Sequence, residues 1–186
     1  LSAMLDALTP ETRVIFICSP NNPTGQIVDR DDLEEFIRQV PVEVVIVLDE
    51  AYIEYVPEEK RSDSLRLYRE HSNVVILRTF SKAYGLAGLR VGFSISQEPI
   101  TQALRKTAMP FGVSSLAQAA AIASINAEPE LLERVASVVA ERERVFSALN
   151  ACGYELQPSY ANFIWIRLGP DTDKLHVALE EAGLSV

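Results

Sequence analysis

The sequence predicts an α/β protein with a largely parallel open sheet and helices on both faces, followed by part of a smaller α+β domain. Three runs are almost continuously apolar and rich in β-branched residues: Val14 to Cys18, Val42 to Leu48 (interrupted by Glu43) and Val74 to Leu77. Continuous rather than alternating apolarity is typical of strands buried on both faces, as in parallel sheets covered by helices. Helix-like segments lie between the runs, and this alternation favours right-handed strand–helix–strand units.

The first two linking segments and a fourth strand complete this predicted sheet. Asp31 to Val40 places its apolar residues on one helical face, with Asp29 or Asp31 as the expected N-cap. Ser62 to His71 forms a less regular second link, and Val91 to Ser96 is expected to be a short strand that follows closely on the third.

The second half of the chain changes character. Its expected elements are an alanine-rich buried helix at Ser114 to Asn126, a long helix from Pro129 to Ala151, a strand at Asn162 to Leu168, a helix at Asp171 to Ala182, and a turn with the start of a strand over Gly183 to Val186. The long helix would span roughly 30 Å, enough to bridge two domains. We therefore expect a large domain at 1–128, and a bridging helix with a partial small domain, including Trp165 in its core, at 129–186.

Composition narrows the class of protein. The net charge of −9 argues against a nucleic-acid or anionic-membrane surface, and no apolar run approaches the roughly 20 residues of a membrane-spanning helix. Cys18 and Cys152 lie far apart, which predicts two reduced, mostly structural thiols in a cytoplasmic protein. No metal site is expected, because the only two histidines lie in polar surroundings. The chain opens on Leu1 rather than methionine and closes as a strand begins, so we expect a fragment lacking both ends.

Polar residues follow each of the three buried strands. The clusters are Ser19 to Gly25, Asp49 to Tyr52 and Arg78 to Lys82. Ligands bind beyond the carboxyl ends of strands in open α/β sheets, so these clusters are expected to converge on one crevice. Taken singly, each residue also has a structural interpretation: Asp49 as a cap and Lys82 as a surface charge. An ATPase is disfavoured because no Gly-rich loop ending in Gly-Lys-Ser/Thr is present.

Taken together, the motifs resemble a known family. Asn22-Pro23-Thr24-Gly25, Asp49-Glu50-Ala51-Tyr52 and the segment from Thr79 to Arg90 are similar, in order and spacing, to the signature of fold-type I aminotransferases that depend on pyridoxal 5'-phosphate (PLP). The last segment most resembles the histidinol-phosphate aminotransferase family, which includes aromatic amino-acid aminotransferases and a threonine-phosphate decarboxylase. The resemblance extends to about Leu168 and includes Pro158 to Phe163.

The resemblance implies a role for each matched residue. Lys82 would hold the cofactor covalently and then shuttle a proton, Asp49 would keep the pyridine nitrogen protonated, and Tyr52 and Asn22 would hydrogen-bond the phenolic oxygen. These roles make Lys82, Asp49 and Tyr52 the expected catalytic residues.

The same resemblance implies how the cofactor phosphate is bound. Arg90 would grip it as a two-pronged donor, with added hydroxyl donors from Thr79 and Ser81. Arg90 could instead be a surface arginine, although the small residues around it favour the phosphate role. The arginine that anchors the substrate carboxylate in this family is expected beyond Val186.

The implied activity is transamination between histidinol phosphate or an aromatic amino acid and a 2-oxo acid (the 2-oxoglutarate/glutamate pair), in amino-acid biosynthesis. The resemblance also implies a homodimer. Met109 to Val113 is similar to the aromatic-type members. Two alternatives remain open at this point: a PLP-dependent decarboxylase of threonine-phosphate type, and a non-catalytic aminotransferase-like regulatory domain.

Overall fold

The computed structural model describes residues 1–185. Its strands are β1 (Val14–Cys18), β2 (Val45–Asp49), β3 (Val74–Thr79) and β4 (Gly92–Ile95). Its α-helices are α1 (Ser2–Asp6), α2 (Arg30–Gln39), α3 (Ser64–Glu70), α4 (Glu98–Thr107), α5 (Ser115–Asn126), α6 (Glu128–Ala151) and α7 (Thr172–Glu181). In this part of the chain, none of the helices combines the length and the apolarity needed to cross a membrane.

The four strands form one open mixed sheet in the order β1-β2-β3-β4. β1, β2 and β3 run parallel, and β4 returns antiparallel to β3. A parallel return needs a crossover, usually a helix, whereas the link between Thr79 and Gly92 holds only a short 3₁₀ turn. The predicted α/β sheet is therefore confirmed, with its fourth strand antiparallel.

One face of the sheet carries the main hydrophobic core. The cluster of buried residues joins β1, β2 and β3 to α2 and α3: Ile15, Ile17, Ile46, Leu48, Val74, Leu33, Phe36, Ile37 and Leu67. The side chain of Asp29 accepts hydrogen bonds from the backbone of Asp31 and Asp32, which confirms Asp29 as the N-cap of α2. The cap and the apolar face together fix α2 across the strands.

Two segments expected to be buried are partly exposed. β1 alternates, with Val14 and Phe16 exposed on the second face of the sheet, although Val47 and Val75 are buried on that face. α5 was expected to be a buried helix, and this is wrong: among its residues only Ala117 and Ala121 are buried. The reason is local packing, because α5 contacts the rest of the fold through one narrow alanine stripe.

The C-terminal part differs from expectation in one element. α6 begins with Pro129 in its first turn and ends before Gly153, which has a positive φ of 92°, as the sequence indicates. The segment 162–168 was expected to be a strand, but it forms none, because the described sheet offers it no partner. Trp165 is accordingly exposed rather than part of a core. A turn and the start of a strand were expected over 183–186: Gly183 lies in a turn with a positive φ of 79°, residues 184–185 form no strand, and Val186 lies outside the described residues.

Candidate active site

The three predicted polar clusters lie along one edge of the sheet. The strand register sets Cys18 beside Asp49 and Asp49 beside Leu77. Two further hydrogen bonds extend this order past the strand ends, from Ser19 N to Asp49 O and from Glu50 N to Leu77 O, each 3.0 Å long. The loops that carry the predicted site residues therefore leave the sheet side by side.

Tyr52 lies where these loops meet. Its hydroxyl accepts a hydrogen bond of 3.1 Å from the side-chain amide of Asn22. The Nζ atom of Lys82 lies 5.1 Å from the centre of the Tyr52 ring, within the range of a cation–π contact. Phe163 meets the same ring edge-on, with ring centres 5.3 Å apart. Three segments distant in sequence thus converge on one buried phenol.

Asp49 ends β2 on the same side of the sheet as Cys18. Its Oδ1 atom accepts a hydrogen bond of 3.1 Å from Ala51 N, which fixes the direction of a half-buried carboxylate. Partial burial and the negative charge of Asp49 both raise the pKa of the Cys18 thiol. Cys18 and Cys152 are both free thiols, as expected, and the residues are exposed.

The loop after β1 contains Gly25, and a side chain at this position would strain the backbone. Gly25 has φ of +72°, and a Cβ atom on it would lie 2.1 Å from the hydroxyl of Ser159. Its carbonyl accepts a hydrogen bond of 2.7 Å from Tyr160 N. Close approach at Gly25 therefore places the Asn22 loop against the segment that carries Phe163.

The loop after β3 carries Lys82 and the predicted phosphate-binding hydroxyls. The Thr79 hydroxyl accepts a hydrogen bond of 3.0 Å from Ser81 N, and Gly85 N closes a turn on the carbonyl of Lys82. Arg90 has a left-handed backbone, and its guanidinium donates to Ala87 O at 2.8 Å. Thr79 thus ends β3 directly before the loop that carries Ser81 and Lys82, while the Arg90 guanidinium is bound to its own turn.

Sequence reasoning missed an ion pair beneath the site. Glu50 is only 5% exposed, and its Oε2 atom accepts a hydrogen bond of 3.0 Å from Arg78 Nε and lies 2.9 Å from Arg78 Nη2 in an ion pair. Burial raises the pKa of Glu50, and the charge of Arg78 opposes that shift. Successive strand residues point to opposite sides, so Glu50 faces away from Asp49. Opposite charges ending two adjacent apolar strands were the signal that could have revealed this pair.

Two residues far along the chain also support Tyr52. Phe163 contacts its ring, and Arg142 of α6 is buried close by, donating to the carbonyl of Ala161 at 3.0 Å. The sequence marks Phe163 only as the end of the resembling segment Pro158 to Phe163, and it predicts no role for Arg142. An arginine at an otherwise apolar helical position was the available signal.

The assembled edge combines an amine, a carboxylate, a phenol and a carboxamide beside two hydroxyls. Through the amine, such a set can form a covalent bond to a small aromatic carbonyl compound. The other groups can form hydrogen bonds with its polar atoms. A mixed α/β sheet with these groups at its carboxyl edge matches the arrangement that the resemblance to fold-type I aminotransferases predicts. The family model described as "Aminotransferase class I and II" matches residues 1–186, and the chain belongs to this family.

Curated relatives support membership of the same family. The chain is 57% identical over 186 residues to an aromatic amino acid aminotransferase of Streptomyces coelicolor, covering 100% of this chain and 52% of the relative. It is 54% identical over 186 residues to one of Thermobifida fusca, again covering 100% and 52%. The chain thus spans about half the length of the curated relatives it matches.

Solved structures agree on the fold. Histidinol-phosphate aminotransferase from Sinorhizobium meliloti, solved in complex with pyridoxal-5'-phosphate, superimposes with a TM-score of 0.82 at 31% identity, covering 93% of this chain and 48% of that one. L-threonine-O-3-phosphate decarboxylase from Porphyromonas gingivalis superimposes with a TM-score of 0.80 at 25% identity, covering 97% and 55%. The predicted fold class and family are confirmed by these matches.

Proposed function

We propose that this protein catalyses PLP-dependent transamination between an aromatic amino acid and a 2-oxo acid such as 2-oxoglutarate. One observation carries the proposal: in a chain of the aminotransferase family, the Lys82 amine lies 5.1 Å from the ring centre of Tyr52, whose hydroxyl is bound by Asn22. Contact with a buried phenol supports a covalent role for Lys82, because most surface lysines are solvated charges.

The residues present fit the cofactor. When bound, PLP supplies an aldehyde that condenses with amines and an electron-poor ring that stabilises negative charge on the substrate α-carbon. Lys82 would hold the aldehyde carbon covalently and, once released, would take the proton from the substrate Cα. Asp49 would hold a proton on the pyridine nitrogen. Tyr52 and Asn22 would donate to the phenolic oxygen.

The phosphate would be bound at the loop after β3. Thr79 and Ser81 lie on the Lys82 loop and offer hydroxyl donors. For Arg90 to join them, its guanidinium would exchange the bond to Ala87 O for the phosphate oxygens, which a charge-assisted pair favours. We propose this exchange as part of cofactor binding.

Substrate choice rests on the relatives. Those named aromatic amino acid aminotransferases are 54% and 57% identical to this chain, whereas the histidinol-phosphate aminotransferase structure is 31% identical. Phenylalanine or tyrosine is therefore the preferred amino donor, and histidinol phosphate is the second. Half-reactions of the PLP-loaded protein with phenylalanine and with histidinol phosphate, run in parallel, decide between them.

The test of the site compares two lysine substitutions. Lys82→Ala is expected to abolish the visible absorbance of the protein-bound cofactor and to leave the fold intact. Lys106→Ala, on the exposed face of α4, is the matched control and should behave as the wild type. An unchanged spectrum in Lys82→Ala would remove the assignment of the nucleophile. Release of CO₂ without consumption of a 2-oxo acid would instead favour a decarboxylase.

Three further features are proposed with this function. The protein acts in amino-acid biosynthesis in the cytoplasm, it forms a homodimer, and its chain divides into the domains 1–128 and 129–186. Sedimentation of the PLP-loaded protein would test the dimer. Limited proteolysis would test the division, since cleavage between the proposed domains is expected near Glu128, where α6 begins.

A further inference from the structure

Arg142 is a buried cation on an otherwise apolar helical face. It is 7% exposed, and the buried residues of α6 are Val135 and Arg142. Its Nη1 atom donates to Ala161 O at 3.0 Å and lies 3.5 Å from Tyr55 O. Its Nε and Nη2 atoms contact the carboxylate of Glu143, which is 60% exposed. Removing an arginine from water costs free energy, so its burial at this position needs a physical reason.

Both carbonyls belong to segments that hold Tyr52. Tyr55 closes the 3₁₀ turn that starts directly after Tyr52, and its backbone N–H donates to Tyr52 O at 3.1 Å. Ala161 is fully buried and lies two residues before Phe163, whose ring packs against Tyr52. The same residues form one hydrophobic cluster with Val135 of α6. A single guanidinium therefore connects α6 to the backbone side and to the ring side of Tyr52.

We propose that Arg142 is a positioning residue, which sets the Tyr52 hydroxyl relative to the Lys82 amine. The inference rests on the proposed function, because it concerns how the phenol meets the cofactor. The planar fork of arginine reaches both carbonyls and Glu143 together, whereas a lysine ammonium acts as a point donor. Lysine at this position should therefore restore the contact only in part.

The charged and titratable groups around this unit are few. On the guanidinium side the neighbour is Glu143; on the phenol side they are Lys82 over the ring, Tyr55 in the following turn and Glu54, whose charge acts on Tyr55. A hydrogen bond from Tyr52 to the phenolic oxygen of bound PLP would stabilise the negative charge on that oxygen. It would therefore favour the deprotonated form of the bound cofactor. Displacing the hydroxyl should therefore raise the pH at which the visible absorbance of the cofactor changes.

The experiment measures that pH midpoint in the PLP-loaded, full-length protein. Arg142→Met should raise the midpoint by about half a unit, a threefold change in proton affinity, and Arg142→Lys should raise it less. Arg144→Met is the control, since Arg144 is an exposed arginine of the same helix paired with Glu141. It should leave the midpoint at the wild-type value.

A second background separates positioning from a general structural role. In Tyr52→Phe protein, Arg142→Met should add no further shift, because the hydroxyl through which it acts is gone. A wild-type midpoint in Arg142→Met, or an equal added shift in the Tyr52→Phe background, would overturn the inference. If Arg142→Met does not fold, Arg142→Lys in both backgrounds decides by the same criteria. A wild-type protein with no PLP absorbance would instead overturn the proposed function.

Discussion

Replacing Arg78 by methionine would leave the Glu50 carboxylate buried without its ion-pair partner. Methionine keeps much of the apolar stem, so the main loss is the hydrogen bond from Nε at 3.0 Å together with the ion-pair contact of Nη2 at 2.9 Å. Removing one partner of a buried pair costs about 3–5 kcal/mol. The Arg78 side chain is 28% exposed, so water can reach the vacated position and reduce this cost. We therefore expect Arg78→Met to lower the free energy of unfolding by about 2–3 kcal/mol at pH 7.

The pH dependence follows from the pKa of Glu50. Burial raises that pKa above its ordinary value of 4.5, and Arg78 opposes the shift. A carboxyl with a raised folded-state pKa stabilises the fold fully below its unfolded-state pKa, and this contribution is lost as pH rises through the folded-state pKa. Arg78→Met raises the folded-state pKa further. Its cost should therefore be small near pH 4 and grow toward pH 7, by about 1.4 kcal/mol for each unit of added shift.

Urea unfolding of four proteins tests this reasoning: wild type, Arg78→Met, Glu50→Gln and the double variant, each at pH 4.5 and pH 7. Glutamine needs no cation, so the double variant should be more stable than Arg78→Met at pH 7 by about 1–2 kcal/mol. Glu54, whose pKa burial also raises, remains in every protein and is accounted for by the Glu50→Gln background. An equal cost of Arg78→Met at both pH values, or no rescue by Glu50→Gln, would refute the argument.

Two other substitutions follow from the site. Gly25→Ala should lower the free energy of unfolding by about 1–3 kcal/mol, since it combines a positive φ with a clash on Ser159; Gly85→Ala, with a positive φ and no neighbour within 4 Å, is the control. If a urea titration showed the same loss of unfolding free energy for Gly25→Ala and Gly85→Ala, the clash with Ser159 would be contradicted. Asp49→Ala should spare cofactor attachment and slow Cα proton abstraction roughly a hundredfold, measured in single-turnover half-reactions. A wild-type rate there would count against its role at the ring nitrogen.

Local sequence patterns went far toward the fold and the candidate site. Apolar β-branched runs marked β1, β2 and β3, and a polar cluster after each run marked the edge where Asn22, Tyr52 and Lys82 meet. This works because side-chain burial and strand propensity are local properties, and parallel strands bring their carboxyl ends to one edge. The run predicted from Val42 to Leu48 starts too early, since Val44 N donates to Pro41 O in a turn and β2 begins at Val45.

Tertiary structure decided the contacts that hold the site in place. The Glu50–Arg78 pair depends on the register between β2 and β3, and the Arg142 contacts depend on how α6 crosses residues 19 and 87 positions away. The segment 162–168 had the pattern of a strand but no neighbour to pair with. By itself the sequence determined which residues could form strands and which could do chemistry. Which of them touch was decided only by packing, because register and helix crossing depend on segments far apart in the chain.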